Sequence, residues 1–146
     1  MKNVPELQPP PQDGKQWIDD RLRELADIFA VSVGGFATLD NHLHLLVRLD
    51  QSAAEAWSDD EVARRWGRLF PPRDKQRRPL PVLDAWVQSR LQDQAWTART
   101  GKRLVSLNWF MKCLKEPLAR MANRQEATRG AFFDSRFKSI AILDPG

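Results

Sequence analysis

The residues with the clearest capacity for chemistry are His42 and His44, the only two histidines of the sequence. They stand one residue apart in an apolar run, and side chains alternate between the two faces of a strand. Both histidines would then share one face, while Leu43, Leu45 and Val47 would point to the core. Neutral imidazole nitrogen is a common ligand of divalent metals. The pair therefore predicts a metal site, and the alternative is a pair of surface or hydrogen-bonded histidines.

Two histidines are too few for a closed structural metal site. They suit an open site that a third protein ligand and substrate oxygens complete. Asn41 would either orient a ligand through a hydrogen bond or serve the turn before the strand. The single cysteine, Cys113, excludes an internal disulfide and a cysteine-rich zinc site.

A second candidate site combines aromatic rings with cations near the end of the sequence. Three phenylalanines are interleaved with Arg136 and Lys138 between Gly130 and Ser139. Bases stack on such rings while cations meet phosphates, so the segment predicts nucleic-acid binding. The alternative is that the phenylalanines belong to the core and the cations face water. Residues 73–78 form a further basic patch that lacks aromatic residues.

Charge is distributed unevenly along the chain, whose net charge is +4. Residues 1–50 contain 5 basic and 8 acidic residues, whereas residues 99–138 contain 10 basic and 3 acidic residues. A segment with a net charge of +7 predicts a polyanionic partner, and nucleic acid is the commonest one. A solvated basic helix face is the alternative explanation of the charge alone.

The elements that position these residues follow from hydrophobic periodicity. We expect a proline-rich, extended or disordered lead-in over residues 1–14 and one domain over residues 15–146. Apolar residues at helical spacing predict helices over 15–30, 58–69, 82–96 and 103–123, with a break at Gly101 and a kink at Pro117. Ser58, with Glu61 three residues later, forms a capping box that predicts the start of the second of these helices. Alternating patterns predict a β-hairpin over 31–38 and 42–49 and a last strand over 137–143.

No apolar run of the sequence approaches the length of a membrane span. The N-terminus also lacks the basic and then apolar layout of a signal peptide. We therefore expect no membrane partner and a cytoplasmic location.

Several motifs together resemble one family. Residues 41–47, Asn-His-Leu-His-Leu-Leu-Val, are similar to the histidine–hydrophobic–histidine motif of the HUH single-tyrosine transposases. These are the enzymes of small insertion sequences and of their REP-associated relatives. Residues 107–112, 122–124 and 130–139 resemble, in the same order, the family's downstream helix and its G-x-[FW]-[FW]-x-x-RFKS segment. The resemblance covers about residues 17–143.

The resemblance implies a compact α+β fold with helices packed on a central antiparallel sheet, similar to ferredoxin-like and RNA-recognition folds. It implies a protein that cuts and rejoins single-stranded DNA near hairpins, commonly as a homodimer. His42 and His44 would hold Mg²⁺ or Mn²⁺ against the scissile phosphate, with Asn41 as a supporting residue. The residues expected to bind DNA are Arg103, Lys112, Asn123, Arg124, Arg136 and Lys138.

The sequence departs from the family at both ends of the motif series. The family's nucleophile is a tyrosine downstream of the RFKS-like strand, which forms a 5′-phosphotyrosyl link, and this sequence contains no tyrosine. The family's first strand also has no counterpart in the proline-rich start. We therefore expect an incomplete HUH fold that binds DNA and does not cleave it alone. The alternatives are a non-catalytic nucleic-acid-binding module and a small metalloprotein unrelated to DNA, which the +7 segment disfavours.

Overall fold

The computed structural model describes residues 14–39, 42–126 and 138–143. The fold is α+β, as predicted. The described helices and strands are, in chain order, α1 (Gly14–Ile28), β1 (Val31–Leu39), β2 (His42–Leu49), α2 (Gln51–Ala56), α3 (Asp59–Leu69), α4 (Asp84–Leu91), α5 (Gln94–Arg103), α6 (Leu107–Glu126) and β3 (Lys138–Leu143). Within these ranges, none of the helices combines the length and the hydropathy that crossing a membrane requires.

The strands form a three-stranded sheet in the order β1-β2-β3. The predicted hairpin is confirmed, since β1 and β2 pair antiparallel, while its turn residues Asp40 and Asn41 lie outside the described residues. The expectation of an antiparallel sheet is wrong for β3, which pairs with β2 in parallel. A parallel pair needs a long crossover connection, which the chain from α2 to α6 supplies.

One side of the sheet is covered by helices. The predicted first helix is confirmed as α1, which buries Ile18, Leu22, Leu25 and Ile28. These positions recur at helical spacing and so form one apolar stripe. They belong to a single core with the buried residues of β2 and of α6. From α6, this core receives Phe110, Leu114 and Leu118.

The helix α3 is tied to the C-terminal end of α1. Ser58 caps α3, because its Oγ accepts a hydrogen bond from the backbone N–H of Glu61 at 3.1 Å, as the sequence predicts. Arg65 of the same helix donates to the carbonyl oxygens of Asp27 at 2.9 Å and Ile28 at 2.8 Å. The last carbonyls of a helix have no partner within the helix. Arg65 therefore stabilises the end of α1.

The predicted helix over 82–96 is wrong, because the chain divides there into α4 and α5. The carboxylate of Asp93 accepts a hydrogen bond from the backbone N–H of Trp96 at 3.0 Å, which starts a new helix. The predicted helix break at Gly101 is wrong, because Gly101 lies inside α5. The break between helices comes after Arg103, where α5 ends. Ser106 then precedes α6, and its Oγ accepts a hydrogen bond from the backbone N–H of Trp109 at 3.3 Å. The short helix α2 was not predicted.

Pro117 lies inside α6. Because proline has no N–H, the carbonyl oxygen four residues earlier, on Cys113, loses its helical donor. Arg21 of α1 takes that role, since its guanidinium donates to this oxygen at 3.0 Å and also pairs with Glu24 at 2.9 Å. The proline therefore creates the acceptor through which α1 and α6 are joined.

We predict that Arg21→Met lowers the free energy of unfolding by about 1–3 kcal/mol, the cost of a lost hydrogen bond to a charged donor. In a Pro117→Ala background the same change should cost less, because the alanine supplies its own N–H to the Cys113 carbonyl. Urea unfolding of the four proteins measures this difference. Arg23→Met, at an exposed pair with Asp19, is the control and should unfold like the wild type. An equal cost of Arg21→Met in both backgrounds would contradict the account.

Candidate metal and nucleic-acid-binding site

The predicted alternation on β2 is confirmed. Leu43, Leu45 and Val47 are 0%, 1% and 0% exposed and face the helices. Leu46, in contrast, is 45% exposed, and His44 is half-buried. In the part of the chain that the structure describes, helices cover one face of the sheet and leave the other open, and His44 lies on this open face.

Both predicted metal ligands belong to the central strand. His42 is the first residue of β2 and lies two positions before His44, the spacing at which strand positions share a face. The register places His44 between Ala37 of β1 and Ile140 of β3. It also aligns Lys138, a predicted DNA-binding residue, with His42. The backbone thus brings a basic position beside the histidine pair.

The part of β1 beside β2 carries small residues, and this keeps the open face shallow. Gly34, Gly35 and Ala37 are exposed, and the pairing shifts by one residue between Val33 and Gly35. A Cβ atom on Gly34 would lie 3.1 Å from the side chain of Leu46, whereas one on Gly35 would meet nothing within 4 Å. Leu46 thus lies against Gly34, and the surface above Gly35 leaves room for a flat ligand.

A metal ion on this face would need several ligand atoms from the protein or its substrate. Within the described ranges, no group of three or more histidine, cysteine, aspartate or glutamate residues is arranged to hold one. The candidate donors on β2 are the two histidines. Such a set fits an open site whose other positions take water or phosphate oxygens. Imidazole suits Mn²⁺ better than Mg²⁺, which prefers oxygen. Asn41, the predicted supporting residue, lies outside the described residues.

Two predicted DNA-binding residues meet away from the sheet. The guanidinium of Arg103, at the end of α5, lies 4.5 Å from the ring centroid of Trp109 on α6. The ammonium of Lys112 lies 4.7 Å from the same centroid. Arg103 also lies 5.7 Å from the ring of Trp66. Both cations are thus held on aromatic rings by cation–π attraction.

The aromatic members of this group were not predicted as functional. Trp66 and Phe70 lie 4.9 Å apart between ring centroids, and Phe70 lies 6.5 Å from Trp109 at 90°. The available signals were the four-residue spacing of Trp66 and Phe70 and the three-residue spacing of Trp109 and Lys112, which place each pair on one helix face. We call this group of five residues the aromatic–cation cluster: Trp66, Phe70, Arg103, Trp109 and Lys112.

The basic loop of residues 73–78 is well organised. Asp74 accepts hydrogen bonds at 2.9 Å from the backbone N–H groups of Gln76 and Arg78 and from the side chain of Arg78. The bond from the Arg78 backbone is the main reason why the pKa of Asp74 is lowered. Arg73 and Pro79 form an isolated bridge that closes the loop. The loop is therefore a fixed turn, within which Asp74 holds the Arg78 side chain and the Arg77 carbonyl accepts a hydrogen bond from Arg73.

The other predicted DNA-binding residues do not belong to the aromatic–cation cluster. Asn123 and Arg124 belong to the last turns of α6, Arg136 lies outside the described residues, and Lys138 begins β3. Of the predicted DNA-binding residues that the structure describes, Lys138 thus belongs to the sheet and the others belong to helices. Comparison of the chain with protein-family models, curated proteins and solved structures found no match in any of the three.

We predict that the wild-type protein binds Mn²⁺ at one site and that His42→Ala/His44→Ala weakens this binding by at least about tenfold, because both imidazole donors are lost. Isothermal titration measures the two affinities. Leu46→Ala alters the same strand face without removing a donor, and it should retain wild-type affinity. Equal affinity of the wild type and the double variant would reject the site.

Proposed function

We propose that this chain is a DNA-binding protein of the HUH single-tyrosine transposase class. It binds single-stranded, hairpin-bearing DNA across the open face of its sheet. The observation that carries the proposal is the alternation of β2, in which Leu43, Leu45 and Val47 occupy the core. Because strand positions alternate between the two faces, the positions of His42 and His44 belong to the open face.

The proposal gives the histidine pair a metal ion. His42 and His44 would hold Mg²⁺ or Mn²⁺, which, when bound, supplies positive charge that neutralises and polarises a DNA phosphate. Two protein ligands leave room for oxygen ligands from the DNA. The register aligns the strand position of Lys138 with that of His42, and the proposal includes Lys138 among the DNA-binding residues.

The proposal also includes the ferredoxin-like architecture of the class. In that architecture, helices pack on a central sheet. The burial of α1 against the sheet and the position of the histidines on the central strand support it. The parallel pairing of β3 differs from the antiparallel sheet that the resemblance implies. Support for this architecture therefore comes from the hairpin and α1.

The proposal assigns binding, and not cleavage, to this chain. The sequence contains no tyrosine that could attack phosphorus. Cys113 is no substitute, since it is 5% exposed within the core and burial raises the pKa of its thiol, which keeps it in the poorly nucleophilic protonated form. A nucleic-acid-binding module that retains only hairpin recognition is the second candidate. A cytoplasmic location and a homodimer complete the proposal.

We predict that the protein binds a hairpin-bearing single strand about tenfold more tightly than a plain duplex of equal length. The hairpin's unpaired bases can reach the shallow open face, whereas duplex bases are stacked inside the helix. Fluorescence anisotropy in a series of salt concentrations measures both affinities. The logarithm of affinity should fall with the logarithm of salt, with a slope of about −0.7 for each phosphate contact to the single strand. Absence of both the preference and the slope would reject the proposal.

We also predict that the hairpin DNA stays uncut and free of covalently attached protein when Mn²⁺ is present, because the tyrosine nucleophile is missing. Denaturing electrophoresis of end-labelled DNA measures both outcomes. A protein–DNA adduct that survives denaturation would overturn the assignment of binding without cleavage.

A further inference from the structure

Phe70 is an exposed aromatic ring in a fixed position. It follows α3 as the capping residue and is 43% exposed. Its ring contacts Trp66, which is 7% exposed, and meets Trp109 edge-on. Because buried or half-buried rings support it from behind, Phe70 presents an apolar surface to solvent with little freedom left to lose on binding.

Arg103 and Lys112 are linked to Phe70 through Trp109, whose ring both cations contact. Within the described ranges, neither Arg103 nor Lys112 forms a salt bridge with a carboxylate. A cation–π contact orients a cation through its charge and leaves N–H groups able to donate. In the part of the chain that the structure describes, the arginines that pair with carboxylates are others: Arg21, Arg23, Arg64, Arg65, Arg68 and Arg78.

An exposed ring and two cations that share the neighbour Trp109 match the chemistry of an unpaired nucleotide. The ring offers a stacking surface for a base, and the cations offer donors for the phosphates on either side. An acidic peptide would satisfy the cations but would leave the ring exposed. The surrounding charge favours the same partner, since residues 99–138 contain 10 basic and 3 acidic residues.

We infer that the aromatic–cation cluster is a second nucleic-acid contact, separate from the histidine strand, which stacks one unpaired base on Phe70 and binds the adjoining phosphates through Arg103 and Lys112. This inference rests on the proposed function, because it takes DNA as the ligand. It adds a base-dependent contact on the helical part of the chain to the metal-dependent contact on the sheet.

The stacking step is tested with a labelled twelve-nucleotide thymidine strand and an abasic strand of equal length. The wild type should bind the thymidine strand more tightly. Phe70→Leu keeps an apolar side chain but removes the ring, so it should reduce that preference by about fivefold or more, which is the lower part of the range for one stacked base. Leu83→Ala, at another exposed apolar residue, is the control and should leave the preference unchanged.

The phosphate contacts are tested by two double variants with the same net charge. Arg103→Gln/Lys112→Gln should make the salt slope shallower by about 1.4, because two single-strand phosphate contacts are lost. Lys75→Gln/Arg77→Gln removes two exposed cations from the 73–78 loop and should change the slope less. Lys112→Gln alone, at an exposed residue, should make the salt slope shallower by about half as much as the double variant does. This single variant replaces the double variant in the test if the double variant unfolds.

The outcomes separate this inference from the proposed function. If Phe70→Leu retains the base preference, or if both double variants lose the same amount of salt slope, the aromatic–cation cluster is not a DNA contact. The proposed function would still hold as long as the wild type binds DNA. Failure of the wild type to bind the thymidine strand would likewise overturn the cluster, whereas failure to bind the hairpin-bearing strand would contradict the proposed function itself.

Discussion

The burial of one side of β2 is the constraint on which the candidate site depends. Leu43, Leu45 and Val47 are nearly inaccessible to solvent because they pack in the same core as α1 and α6. Since strand side chains alternate, this burial also fixes the face of every position between them. A shift of one residue would bury His44 and expose three apolar side chains. The hydrophobic core therefore sets the direction of a polar site without contacting its ligand.

Two arginines keep the covering helix α1 in place. Arg65 donates to the carbonyl oxygens at the C-terminal end of α1, and its guanidinium lies 3.9 Å from the ring centroid of Trp57. Arg21, inside α1, donates to the Cys113 carbonyl that Pro117 leaves without a helical partner. Arginine suits both positions because its several N–H donors can reach carbonyls on different elements. The helical part thus supports the sheet from one side and leaves the other side open.

The elements that the sequence predicts correctly are those that depend on local patterns. The alternation around His44 and the capping serine Ser58 identify β2 and α3 because each signal spans only a few residues. Other features depend on contacts between distant residues. The parallel pairing of β3 cannot be read from its alternation, which is the same for either direction. The meeting of Trp66 with Trp109 joins residues 43 positions apart, and no periodicity encodes it. The helix break at Asp93 was missed because the apolar spacing continues across it.

The central claim is that the open face of β2 binds a metal ion and a DNA phosphate together. With only two histidines in the chain, the imidazole proton resonances in a nuclear magnetic resonance spectrum test this claim directly. Paramagnetic Mn²⁺ broadens the signals of groups that bind it. The account predicts that both histidine signals broaden at substoichiometric Mn²⁺ and that hairpin DNA lowers the Mn²⁺ concentration required. Two signals that stay sharp at stoichiometric Mn²⁺, with and without the DNA, would contradict it.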